Sequence, residues 1–171
     1  MPCSRGDLAT RQLRAEDGLM GRSTLYQAAG GAAGMLALAT DFHARCLADP
    51  VLEHPFSHLD DPEHVQHLAA YWGEVFGGPP TYSGRHGGHS GMLRIHANQC
   101  DEDPFSGRFL EVFDEAVAHT LPDDPALRGA LHDYMVAATR EVAAVFPASA
   151  TVPDALPMPH WAWSGPTGGD S

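Results

Sequence analysis

Residues 60–78 read DDPEHVQHLAAYWGEVFGG, a stretch that carries its own beginning and end. Asp61 is placed to cap a helix, and Pro62 suits the first helical position because its missing N–H would find no partner there. Glu63 complements the positive end of the helix dipole. Val65, Leu68, Ala69, Trp72, Val75 and Phe76 then recur at intervals of three and four, the spacing of one helical face. Gly77-Gly78 closes the element. The same period extends on both sides. Upstream, Met35, Leu38, Ala39, Phe42 and Cys46 form a stripe that stops at Pro50. Downstream, Phe105, Phe109, Val112, Phe113 and Ala116 mark a helix from about Pro104 to Thr120. A last one begins near Asp124, with Leu127, Leu131, Tyr134, Met135, Ala138, Val142 and Val145 along one side. Amphipathic helices must bury these stripes against one another, and no segment shows a strand alternation bounded by turns, so the expected fold is all-α.

Composition narrows what such a fold could do. A chain of 171 residues suffices for one domain with a substantial core. No apolar run approaches the ~20 residues of a membrane helix. With 22 acidic against 10 basic residues the formal charge is −12, which opposes binding to nucleic acid or to an anionic lipid surface. The first residues lack the apolar core of a secretory signal, so the expected location is cytoplasmic. Cys3, Cys46 and Cys100 are too few and too scattered for a disulfide framework or a zinc cluster. Three zones follow from composition: a flexible N-terminal extension over 1–22, a helical domain over 23–146 and a mobile Pro/Gly-rich tail over 147–171. Trp161 and Trp163 are unusual in such a tail. They read either as an anchor folded back on the body or as a partner-docking or pocket-capping element.

Between the helices, residues 77–91 read GGPPTYSGRHGGHSG, too long and too permissive for a minimal connection. Behind this loop stands His96, and its spacing alone leaves it either a metal ligand or one more polar residue on a helix edge. One histidine is a poor zinc site but is enough for haem, since the porphyrin brings four nitrogens and the protein needs to add only an axial ligand.

The chain resembles the truncated, two-over-two haemoglobins, and within them group II. The resemblance runs from about Thr24 to Phe146. It is carried by TLYQAAGG at 24–31, FHARCLADPVLEHPF at 42–56, HLAAYWGEVFGGPPTYSG at 67–84 and MLRIHANQ at 92–99, with the glycine pairs Gly30-Gly31 and Gly77-Gly78 in the family's places. It implies a haem b held between two helix pairs, with His96 as the proximal iron ligand and Phe56 packed against the cofactor. Tyr82, Arg85 and Arg94 fall near where the family binds propionates, which suits arginine's paired donors. Alignment from Gly77 places His64 at the distal position with Leu68 one turn on. Two residues depart from the group II pattern: His43 stands where a tyrosine is usual, and Phe109 where a tryptophan is usual.

The resemblance therefore implies reversible binding of dioxygen, NO or CO, and with it a role such as oxygen transport, in a monomer or homodimer. The distal imidazoles His64 and His43 keep an enzymatic alternative open, in which they move protons while the iron acts on NO, nitrite or peroxide and an external reductase restores it. A second alternative is a globin-fold sensor or interaction module without haem.

Overall fold

The computed structural model describes residues 23–57, 61–98 and 105–168. Helices α1 (Leu25–Ala28), α2 (Gly31–Ala48), α3 (Glu53–Ser57), α4 (His64–Val75), α5 (Gly88–His96), α6 (Ser106–Thr120) and α7 (Pro125–Ala143) precede a hairpin of β1 (His160–Ala162) and β2 (Gly165–Thr167). Helix α2 is the hub. It packs on α4 and on α6, while α6 packs on α7. The stripes predicted from periodicity face inward: Met35, Leu38, Ala39, Phe42 and Cys46 on α2 are buried, as are Val112, Phe113 and Ala116 on α6 and Leu127, Leu131, Tyr134 and Met135 on α7. The all-α expectation holds for the body of the molecule.

The helix ends show how the chain sets these elements. Thr24 and Gln27 form a reciprocal capping box at α1, with Gln27 N donating to Thr24 Oγ1 at 3.2 Å and Thr24 N to Gln27 Oε1 at 3.1 Å. Asp124 caps α7 as expected, accepting from Ala126 N at 2.8 Å, and Pro125 opens the helix. Asp61 acts earlier than the sequence suggests. Its carboxylate accepts from Glu63 N at 2.9 Å and from His67 Nδ1 at 2.7 Å, which folds Pro62 and Glu63 into a turn and starts α4 at His64. The expected start of α6 at Pro104 lies outside the described residues.

The turn between α1 and α2 requires glycine twice over. Gly30 has φ +94° and Gly31 φ +65°, in the left-handed region. One turn into α2, a Cβ on Gly34 would stand 1.7 Å from the Ala29 carbonyl oxygen, so α1 can cross there only over a bare backbone. Gly34→Ala is expected to destabilise the protein by about 3 kcal/mol, because the clash outweighs the ~1 kcal/mol of helix propensity gained. A chemical-denaturation midpoint equal to or above wild type would refute this reading.

One expectation needs correction. The glycine-rich loop was expected to reach Gly91, but left-handed Gly87 (φ +76°) and Gly88 (φ +60°) turn the chain and α5 begins at Gly88, burying His89 and Ser90. Over its described part the tail lies against the body through both tryptophans. Trp161 pairs with Pro166 across the hairpin and packs edge-on against Tyr134 at 5.7 Å between ring centroids, while Trp163 Nε1 donates to the Ser23 carbonyl at 2.6 Å. Ahead of the hairpin, the chain is pinned to α5 by Ser90, which donates to Pro153 O at 2.8 Å and accepts from Leu156 N at 2.9 Å. No described helix is long and apolar enough to cross a membrane.

Candidate functional site

Phe42 points from α2 into the core, so the next residue, His43, is turned by about 100° onto the flank of the helix. There it meets α3 and the start of α4. The His43 ring lies 5.3 Å from His64 and 5.7 Å from Phe56, and Phe56 lies 6.2 Å from His64 and 6.3 Å from Phe109. Thus residues from α2, α3, α4 and α6, far apart in sequence, converge on one place. Phe56, Val65, Leu68, Met92, Phe105 and Phe109 are half-buried, each packed against the core.

The imidazoles are held in an unusual state. Nδ1 of His43 and Nε2 of His64 are buried without a hydrogen-bond partner among the described residues. Buried polar atoms are nearly always satisfied, so two orphans 5.3 Å apart by ring centroid are a feature to be explained by chemistry. Burial lowers the proton affinity of His43. It does the same for His64, and the neighbouring His43, His96 and His67 lower it further while Asp61 opposes them.

His96 combines an accessible face with a surround of protein atoms dense enough for desolvation to lower its proton affinity. Its Nδ1 donates to the Met92 carbonyl at 2.9 Å, one helical turn back. A carbonyl only accepts, so the proton sits on Nδ1 and the lone pair on Nε2, as a metal-binding imidazole requires.

Other predicted residues have different partners. Tyr82 is buried edge-on to Tyr71 at 5.0 Å, and its backbone N–H donates to Glu74 Oε2 at 3.0 Å. Arg94 pairs with Asp154 of the C-terminal segment. Arg85 is exposed on the loop. His67 turns to Asp61 and lies 4.0 Å from His86 by ring centroid, the two rings tilted. The sequence reading passed over Glu74, a buried carboxylate that holds the loop by accepting from the backbone of Tyr82 and Ser83. It placed His89 in the glycine-rich loop and gave it no partner. Its only sequence signal is a position seven residues before His96, on the same face of α5.

The three histidines fix a pH dependence. Each has a folded-state proton affinity below its unfolded value, so the unfolded chain binds more protons and stability rises with pH through that window. Stability without added cofactor is expected to hold above the ordinary histidine value of ~6.5 and to fall as pH drops below it. Urea midpoints at pH 7.5 and pH 5.5 check this, and an equal or higher midpoint at pH 5.5 would contradict the burial argument.

Residues 24–141 match the family model described as bacterial-like globin. A group 1 truncated haemoglobin from Nostoc sp. (strain MUN 8820) is 31% identical over 96 residues, which cover 56% of this chain and 77% of that protein. Among solved structures, the haemoglobin of Chloroflexus aurantiacus is 28% identical with a TM-score of 0.61, covering 71% of this chain and 98% of its own. That of Thermobifida fusca is 30% identical with a TM-score of 0.57, covering 71% and 97%. With the fold and the matched span in agreement, the chain belongs to the bacterial-like globin family and is a truncated haemoglobin.

Proposed function

We propose that the protein is a haem b globin that reversibly binds dioxygen or another diatomic gas, with His96 as the axial ligand. The observation that carries this reading is a histidine whose Nδ1–H is bound to Met92 O, together with two half-buried imidazoles that each bury one nitrogen without a partner among the described residues. The donor set fits haem: one neutral imidazole with a free Nε2 lone pair, and apolar half-buried Phe56, Leu68 and Phe109 for the porphyrin. Tyr82 and Arg94 would serve the propionate edge, Arg94 by exchanging Asp154 for a propionate. Haem, when bound, would supply the iron that takes up the gas. His64 and His43 do the rest. Being neutral, each offers an N–H donor, and in a dry pocket such a donor slows departure of a partly negative ligand. The order of the glycine pairs, Pro79 and Tyr82 supports a group II character, beside a curated relative that bears a group 1 name.

The test is an absorption spectrum of the haemin-reconstituted protein, ferric and then reduced, with and without carbon monoxide. A five-coordinate ferrous spectrum that sharpens with the gas supports an open site, and low-spin bands beforehand mean that His64 or His43 occupies the sixth position. Protein that takes up no haemin ends this proposal. His64→Leu is expected to retain haem and to release dioxygen about tenfold faster, the equivalent of one lost hydrogen bond to a charged group. An unchanged dissociation rate would assign the donor to His43.

An enzymatic second reading is favoured by the same pair, since imidazoles of lowered proton affinity can take and return protons. It predicts that the oxygenated protein is consumed promptly by NO, nitrite or peroxide and requires an external reductant.

A further inference from the structure

Away from the His43–His64 pair, one buried polar chain is left unused by gas binding. Tyr71 on α4, His89 on α5 and Glu141 on α7 are joined in series: Tyr71 Oη lies 2.8 Å from His89 Nδ1, and His89 Nε2 lies 2.9 Å from Glu141 Oε1. Tyr71 and His89 are buried, while Glu141 reaches the surface. The direction of the chain follows from the donors. A carboxylate only accepts, so in the neutral imidazole the proton is on Nε2, leaving Nδ1 with a lone pair that accepts the phenol O–H. The phenol is thus aligned on a base, and that base is backed by a negative charge.

We propose that Tyr71 is a redox-active tyrosine, giving up an electron to a one-electron oxidant while its proton passes from Oη to Nδ1 of His89. The products are a neutral phenoxyl radical and an imidazolium whose charge Glu141 balances. The oxidant is haem oxidised by peroxide, itself reduced by one electron, so the assignment rests on the haem reading. Return of an electron from a small phenolic or ascorbate-type reductant sends the proton back to Oη.

Three observations favour this over a merely structural network. Burial drives the Tyr71 phenol far above its ordinary proton affinity, and Tyr134, Glu141, Tyr82 and Glu74 add to the effect. Simple ionisation is therefore closed to it. The same negative surroundings favour a site that loses an electron and keeps its proton close, because the net change is a gain of positive charge. Finally, Tyr71 stands seven residues beyond His64 on α4, two turns along the same face, a rise of about 10 Å from the candidate haem pocket.

The experiment uses the full chain loaded with haemin, mixed with hydrogen peroxide, frozen rapidly and examined by electron paramagnetic resonance. A tyrosyl signal is expected that falls at least tenfold in Tyr71→Phe. It should form about tenfold more slowly in His89→Gln and several-fold more slowly in Glu141→Gln, whose side chain is half-exposed and whose loss leaves the core packed. An unchanged signal in Tyr71→Phe, or an unchanged rate in His89→Gln, overturns the assignment. Should either variant fail to fold, 3,5-difluorotyrosine introduced at position 71 is isosteric. Fluorine splitting of the signal then supports the site, and its absence refutes it. The Soret band before peroxide reports the haem reading separately. In protein that lacks the band, hexachloroiridate(IV) replaces peroxide as oxidant, and the same fluorine criterion decides.

Discussion

His96→Ala is expected to abolish stable haem binding. The wild-type side chain brings the only imidazole on α5 whose Nδ1–H is held by a backbone carbonyl of the same helix, and that bond both orients the ring and enriches Nε2 in electron density. Alanine removes the ligand and leaves the Met92 carbonyl to water. Apolar packing by Phe56, Leu68 and Phe109 persists, so haemin should still associate, but loosely and without fixed orientation. The rate of haem loss to an acceptor protein should rise by about 100-fold or more, in line with the loss of a metal ligand rather than of an outer hydrogen bond. Added imidazole should restore much of the spectrum, which separates a missing ligand from a misfolded protein. A normal Soret band in His96→Ala without imidazole would show that another residue holds the iron, and His64 would be the first to examine.

The second large effect concerns Phe42. Its ring is fully buried and meets four others edge-on: Phe109 at 4.8 Å, Trp72 at 5.6 Å, and Phe56 and Phe113 at 6.0 Å. Tilted aromatic pairs gain from the ring quadrupoles beyond the area they bury. Phe42→Ala should cost about 3–5 kcal/mol, a large part of the ~5–15 kcal/mol that holds a domain folded. It should also loosen haem, since Phe56 and Phe109 lose the surface that sets their tilt and His43 is the next residue along the chain. Guanidinium unfolding checks the first effect and haem transfer the second. A stability loss below about 1 kcal/mol would mean that the neighbours collapse into the space and that the aromatic cluster is not the keystone of the core.

How much of this was legible beforehand depends on sequence distance. The α2 stripe of Met35, Leu38, Ala39, Phe42 and Cys46 is a local pattern, and every member is buried. Asp124 with Pro125 is likewise local, and it caps α7. Asp61 carried the same signal and was misread by two residues, because its carboxylate is shared between Glu63 and His67, a choice that propensity does not encode. His96 was visible only through family resemblance, since eleven histidines in one chain make any single one unremarkable. The Tyr71–His89–Glu141 chain was invisible. Its links span 18 and 52 residues and exist only once α4, α5 and α7 have met. The hairpin was missed because its strands are three residues each, too short for alternation to register.

That hairpin bears on how the molecule is made. Trp163 fastens to the Ser23 carbonyl across 140 residues, next to the capping box that starts α1. Closing so long a loop costs only ~0.6 kcal/mol more per doubling of length, so the clasp is thermodynamically cheap. In time it is not. Domains are built from the N-terminal side during synthesis, and the partner of Ser23 is among the last described residues to leave the ribosome. The helical body can gather its core beforehand, but the Ser23 end must stay unfastened until translation has passed position 163, so a stalled or shortened chain would present an unlatched α1 to proteases.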